Sequence, residues 1–150
     1  MINKTDAEIL KRLQQDGRLS NVELAEGINL SPSPCLRRVK NLESEGVITG
    51  YSAVIDREKV GYGMTVFVDV SLESHKEFAS AEFEASVVVL ENVIHCHEVS
   101  GVSDYRLEIV VQDLKGYEVV LKQIQQLPYI KDIQSNFAIR TVKSGAPIPL

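Results

Sequence analysis

Cysteine is scarce in this chain of 150 residues: there are two, Cys35 and Cys96, far apart in sequence. That excludes a disulfide framework, and both are expected as reduced thiols in cores. No uninterrupted apolar run is long enough to cross a bilayer, which argues against a membrane partner. The first residues, MINKTDAEIL, hold no apolar signal core, so the expectation is a cytoplasmic protein. Also missing are CxxC and HxxxH pairs, a nucleophile elbow, a glycine-rich phosphate loop and triad spacing. These absences point away from an enzyme and from a resident cofactor. Basic charge is in deficit too: the formal net charge is −5, which argues against non-specific nucleic-acid binding by the chain as a whole.

What is present is an ordinary globular composition, 44% hydrophobic and 25% charged. The length suits one domain or two small ones. Charge is unevenly spread. Residues 1–60 hold nine cations and nine anions, whereas residues 61–150 hold seven against twelve and carry the whole acidic excess. Screening within about 8–10 Å lets a local basic face in the first part meet phosphate regardless of that excess.

The first part reads as three short helices. Thr5 to Glu8 fits a capping box, followed by the stripe Ile9, Leu10 and Leu13, with Gly17 placed to end the helix. Ser20 to Glu23 is a second capping box, opening a helix with Leu24, Ala25 and Ile28 on its apolar side. Asn29 then suits a tight left-handed turn. In SPSPCLRRVK, Ser31 is placed to cap a third helix, with Pro32 and Pro34 in its first turn, where no intrahelical N–H bond is lost. That helix is expected to run to about Glu45, with Gly46 as its stop. At 100° per residue, Cys35, Val39 and Leu42 face inward. Ser33, Arg37, Lys40, Asn41 and Ser44 face outward, with Arg38 on the flank. Such a face is either a solvated surface or a recognition helix. The short second helix and tight turn before it favour the latter. Arg can bond guanine edges, Lys neutralises phosphate, and Ser and Asn reach either. The expected DNA contacts are Ser31, Ser33, Arg37, Arg38, Lys40 and Asn41.

Residues 47–55 read as a strand-like linker. Beyond Gly61 and Gly63 the pattern is strand, helix, strand, strand, helix, strand. In the first strand Val66, Val68, Val70 and Leu72 share one face, and Phe67, Asp69 and Ser71 the other. The helices are marked by Ala79, Phe83, Val87 and Leu90, then by Leu114, Tyr117, Leu121, Ile124 and Leu127. Further strands are expected over residues 93–100, 105–111 and 130–142. The order is that of a ferredoxin-like βαββαβ unit. The fold class is therefore α+β: a winged-type helix-turn-helix followed by this domain. The expected parts are residues 1–50, a linker 51–62, a second domain 63–143, and a tail 144–150 that is mobile or an arm resting on a neighbour. His95-Cys96-His97 places two histidines on one strand face. That is half a metal site at most, and a subunit contact is the favoured reading, so no metal is expected.

The stretch DGRLSNVELAEGINLSPSPCLRRVKNLESEGVITGY resembles the helix-turn-helix of the Lrp/AsnC family. His97-Glu98-Val99-Ser100-Gly101-Val102-Ser103-Asp104-Tyr105, followed by Leu127-Pro128 and the last strand, resembles that family's amino-acid-responsive domain. Two departures stand out: Asn29 replaces the usual turn glycine, and Arg106 replaces an aliphatic residue. The resemblance implies a transcriptional regulator that binds double-stranded DNA and self-associates as a homodimer or an octamer. It also implies a small amino acid sensed between subunits. The implied effector residues are Ser100, Gly101, Asp104, Tyr105, Ser135 and Phe137. Turn N–H groups would hold the carboxylate, Asp104 the ammonium, and Phe137 would favour an apolar side chain. Gly101 and Asp104 would equally suit an ordinary hairpin turn. The rival function is an amino-acid-binding metabolic module without DNA binding.

Overall fold

The computed structural model describes residues 2–74 and 76–150, so the third histidine, His75, lies outside the described residues. The chain forms two compact units. One holds the residues up to Val54 together with Val142–Leu150, the other Ile55–Thr141.

The first unit contains α1 (Lys4–Gln15), α2 (Asn21–Gly27) and α3 (Pro32–Ser44). Ile9, Leu10, Leu24, Ala25, Cys35 and Leu42 form its core. The capping box expected at Thr5 is not the one used. Asn3 caps α1, its side chain accepting from the Asp6 N–H at 2.9 Å. At the other end α1 stops at Asp16, with Gly17 outside the left-handed region. The Ser20–Glu23 box forms as expected, with the Ser20 N–H donating to Glu23 Oε2 at 2.7 Å and the Glu23 N–H to Ser20 Oγ at 3.2 Å. Hydrogen bonds to the carboxylate from Ser20, its hydroxyl first and its N–H second, hold the Glu23 carboxyl below its usual pKa.

Asn29 adopts φ 55°. Its N–H reaches the Glu26 carbonyl at 3.2 Å, and the Leu30 N–H reaches the Ala25 carbonyl at 2.9 Å. This is a Schellman stop with asparagine where glycine is commonest. Gly46, at φ 70°, closes α3 in the same way. No strand forms over residues 47–55.

The second unit is a four-stranded antiparallel sheet in the order β2-β3-β1-β4, from β1 (Met64–Leu72), β2 (Val93–Glu98), β3 (Tyr105–Val111) and β4 (Ile130–Phe137). Helices α4 (Glu77–Val87) and α5 (Leu114–Gln125) cover one face. Val66, Val68, Val70, Leu107, Ile109, Phe83, Tyr117, Val120 and Ile124 are buried between sheet and helices. The second and fourth strands end earlier than expected, at Glu98 and Phe137. Among the described residues no helix is long and apolar enough to cross a membrane.

Candidate DNA-contact face and effector pocket

Helix α3 is oriented by its buried side. Cys35 is fully buried and Leu42 nearly so, which turns Ser33, Arg37, Lys40 and Asn41 to solvent. Burial raises the Cys35 thiol pKa, so it stays protonated and inert. The amide of Asn21, at the start of α2, donates to the Pro32 carbonyl at 2.8 Å and fixes where α3 begins. Ser31 occupies the N-cap backbone position but makes no side-chain cap bond. The cap reading of its hydroxyl is therefore corrected, and that hydroxyl is exposed beside the helix start.

The three cations differ. Arg37 and Lys40 form no ion pair among the described residues. Arg38 instead donates from Nη1 to Asp6 Oδ1 at 2.9 Å, tying α3 to α1. An unpaired cation on an outward helix face is available to phosphate or a base edge, whereas a paired one must first give up its partner.

The second unit leaves one sheet face uncovered. Cross-strand partners share a face, so the register places Phe67, Asp69, Ser71, His95, His97, Arg106, Glu108, Gln134 and Asn136 there. The charges on this face are organised. Arg106 grips Asp69 with two bonds, at 2.7 and 3.0 Å, and the Asn136 amide adds a third at 3.3 Å. Glu108 accepts from Arg57 Nη1 at 2.9 Å and pairs with His95 Nδ1 at 2.9 Å. Burial by itself would lift the Glu108 pKa, but the His95 and Arg57 hydrogen bonds outweigh it and bring the pKa below 4.5. The His95 and His97 rings stack 5.9 Å apart. No cluster of three or more metal-type ligands forms among the described residues.

A cavity of about 670 Å³ opens at the β2–β3 loop end of this face, lined by Asp69, Ser71, Glu98, Ser100, Ser103, Arg106, Asp132 and Gln134 among others. Ser100 is the one expected effector residue on its wall. Gly101 lies in the loop at φ 130°, a conformation that favours glycine. Asp104 fastens the loop to β1: its carboxylate accepts the Leu72 N–H at 2.7 Å, and its own N–H donates to the Val70 carbonyl at 2.9 Å.

The other three expected residues lie across the sheet, against the helices. Tyr105 is buried 4.6 Å from the Phe83 ring, and its hydroxyl donates to Glu84 Oε1 at 2.8 Å. Burial leads the causes that push its pKa up to about 12. Ser135 bonds the Tyr117 hydroxyl, and Phe137 meets the Tyr117 ring edge-on at 5.2 Å. In a single chain the six residues therefore line no common pocket. Phe137 is not among the residues that line this cavity. Asp69, Ser71, Asp132 and Gln134 line the cavity and were not among the expected effector residues. The polar side of β1's alternation was the signal for the first two.

A helix-turn-helix with outward cations, joined to a βαββαβ domain with a loop cavity, defines a DNA-binding regulator with a small-molecule domain. Comparison with known proteins agrees on both parts. Residues 2–49 match the winged helix-turn-helix DNA-binding family, and residues 65–148 match the Lrp/AsnC ligand binding domain. The chain is 39% identical to the Bkd operon transcriptional regulator of Pseudomonas aeruginosa, over 99% of this chain and 98% of that one. It is 38% identical to the leucine-responsive regulatory protein of Salmonella typhimurium, over 96% and 88%. A Neisseria meningitidis transcriptional regulator, crystallised as an L-methionine complex, superposes with a TM-score of 0.92 at 37% identity, covering 99% of this chain and 97% of that one. The chain belongs to the Lrp/AsnC family of DNA-binding transcriptional regulators, which are not enzymes.

Proposed function

We propose that this cytoplasmic regulator reads its operator with the outward face of α3, and that a small amino acid acting at the second unit changes its assembly or its DNA binding. The observation that carries the DNA reading is that Arg37 and Lys40 stand outward without ion-pair partners among the described residues, while Cys35 and Leu42 lock the helix orientation. Ser31, Ser33 and Asn41 flank them as hydroxyl and amide contacts. Arg38 holds the helix to α1 and reaches DNA only by releasing Asp6. Residues 51–62 connect the units.

The effector reading rests on the matched ligand domain and the relative crystallised with L-methionine. Ser100 and the N–H groups around Gly101 are the donors for a carboxylate, with Asp104 holding the turn in shape and offering its carboxylate to the ammonium. Tyr105, Ser135 and Phe137 shape the opposite side of the same sheet. Ser135 and Phe137 reach an effector only where a second copy completes a site on that side, and Tyr105 supports that side from the core. The uncovered sheet face supports self-association, as a homodimer or as an octamer built of such dimers.

Two experiments test this reading. Charge reversal at Arg37 and Lys40 should abolish binding to the protein's own promoter region, and the wild type should show a steep salt dependence. Unchanged binding would favour the amino-acid module without DNA recognition. Sedimentation and promoter binding across the twenty amino acids should reveal at least one that shifts either quantity. If none does, the effector reading is lost, because a ligand without differential affinity shifts nothing.

A further inference from the structure

The segment Val142–Leu150 belongs to the first unit, although the chain reaches it from the end of the second. Its last residues rest over an apolar groove on the DNA-binding unit, where Ile148 and Leu150 help line a remaining cavity of about 300 Å³. One wall is α1, through Leu10 and Leu13. The other is the segment after α3, through Val47, Ile48 and Tyr51. Tyr51 is held there by its hydroxyl, which donates to Glu43 Oε1 at 3.0 Å, and by its ring lying against Gly17.

The contact is specific in its polar part. Gln14 at the end of α1 clamps the main chain of Ile148 from both sides. The Ile148 N–H donates to Oε1 at 2.6 Å, and Nε2 donates to the Ile148 carbonyl at 3.3 Å. Ile148 stands between Pro147 and Pro149, which have no N–H. It therefore offers the single backbone donor of that tripeptide, and Gln14 takes it. The two prolines also hold the segment extended before it docks, which lowers the entropy lost on docking. Ile148 stays 69% exposed and Leu150 45% exposed, so the segment rests on the groove without entering the core.

We propose that this groove is a docking site for an extended, proline-flanked apolar segment, and that its occupant is Ala146–Leu150 of the same chain. The docked tail then closes on α1 within the first unit.

The test compares the full chain with one ending at Ser144, by hydrogen exchange and by methyl NMR of Leu10 and Leu13. Truncation should speed amide exchange over residues 47–51. A synthetic SGAPIPL peptide added to the truncated chain should restore protection and shift both methyl signals. The same peptide should leave the full chain unchanged, because its groove is occupied. Gln14→Leu in the truncated chain should weaken the peptide about tenfold or more through loss of the two clamp bonds. Exchange that ignores truncation, or a peptide that binds both chains alike, overturns the proposal. To test whether the tail is the chain's own, a spin label is placed at Leu150→Cys in a Cys96→Ser background. These chains are mixed with isotope-labelled chains that carry no spin label. Broadening of the isotope-labelled Leu10 and Leu13 signals would mean exchange of tails between copies and would overturn the assignment. Broadening confined to chains carrying both labels upholds it.

Discussion

Arg37 and Arg38 are neighbours in sequence and opposite in circumstance. The helical face count separated them, placing one outward and the other on the flank, but it could not show that Asp6, thirty-two residues earlier, would take up Arg38. That pairing depends on how α1 crosses α3, which no local pattern encodes. Different outcomes follow. Arg37→Ala should cost about 1–3 kcal/mol of operator affinity if it bonds a base, with little change in stability. Arg38→Ala should cost at most about 1 kcal/mol of stability, since its side chain is 38% exposed and Asp6 17%, and its effect on DNA should be the smaller. Binding isotherms and urea melts on the two variants check both; equal losses of affinity would show that Arg38 leaves Asp6 on binding.

Glu108 belongs to the same scale. Its carboxyl is held below 4.5 in the folded chain by His95 and Arg57 against the opposing effect of burial. A depressed carboxylate contributes stability that is present above its unfolded pKa and is lost as pH falls through the lowered folded value. Urea midpoints should therefore decline below pH 4.5, and Glu108→Gln should remove part of that decline while lowering stability at neutral pH. An acid limb of unchanged slope in the variant would remove Glu108 from the account.

Among the elements, helix boundaries were legible wherever one strong signal stood alone. Pro32 and Pro34 in the first turn of α3, the Ser20–Glu23 box, and the stops at Asn29 and Gly46 all appear where the sequence puts them. The failure at α1 came from two overlapping signals: Asn3 and Thr5 can each cap, and the Asn3 amide also donates to the Asp6 carboxylate at 2.6 Å. Ser20 and Ser31 offer a clean contrast, because both sit at N-cap positions and only Ser20 bonds the helix. Ser20→Ala should cost about 1 kcal/mol of stability, the usual loss for a working cap. Ser31→Ala should cost clearly less and should act instead on DNA affinity. Thermal melts of the pair decide this, and equal destabilisation would mean that Ser31 caps after all. In the sheet, period-two alternation gave the faces within each strand. It could not say which face of β4 joins which face of β1; that needed the pairing of Val68 with Ser135. This is why the expected effector residues came out on both sides of one sheet.

At the level of the whole molecule, the fold class and the order of elements were readable because each hydrophobic period matches its element. What lies on the uncovered face was only half readable. Asp69 and Ser71 announced a polar side, but the Arg106–Asp69 and Arg57–Glu108–His95 pairings join residues from separate strands and segments. A face with this many fixed charges is a poor non-specific adhesive and a good selector of one partner, since a misplaced copy strands charges. On the reading that a second copy covers it, Phe67 is the useful probe. It is 37% exposed, the large apolar side chain at the middle of the open side of β1, flanked across the ladder by Glu108 and Asn136. Phe67→Lys leaves the helix-facing core intact while placing a cation where the partner would sit. Sedimentation should show a smaller species. Because two linked DNA-binding units gain from effective concentration, operator affinity should fall by about 10²–10⁴, while circular dichroism keeps the same helix and strand content. An unchanged sedimentation coefficient would mean that this face is not where copies meet, and the search for the assembly surface would move to the exposed edges at β2 and β4.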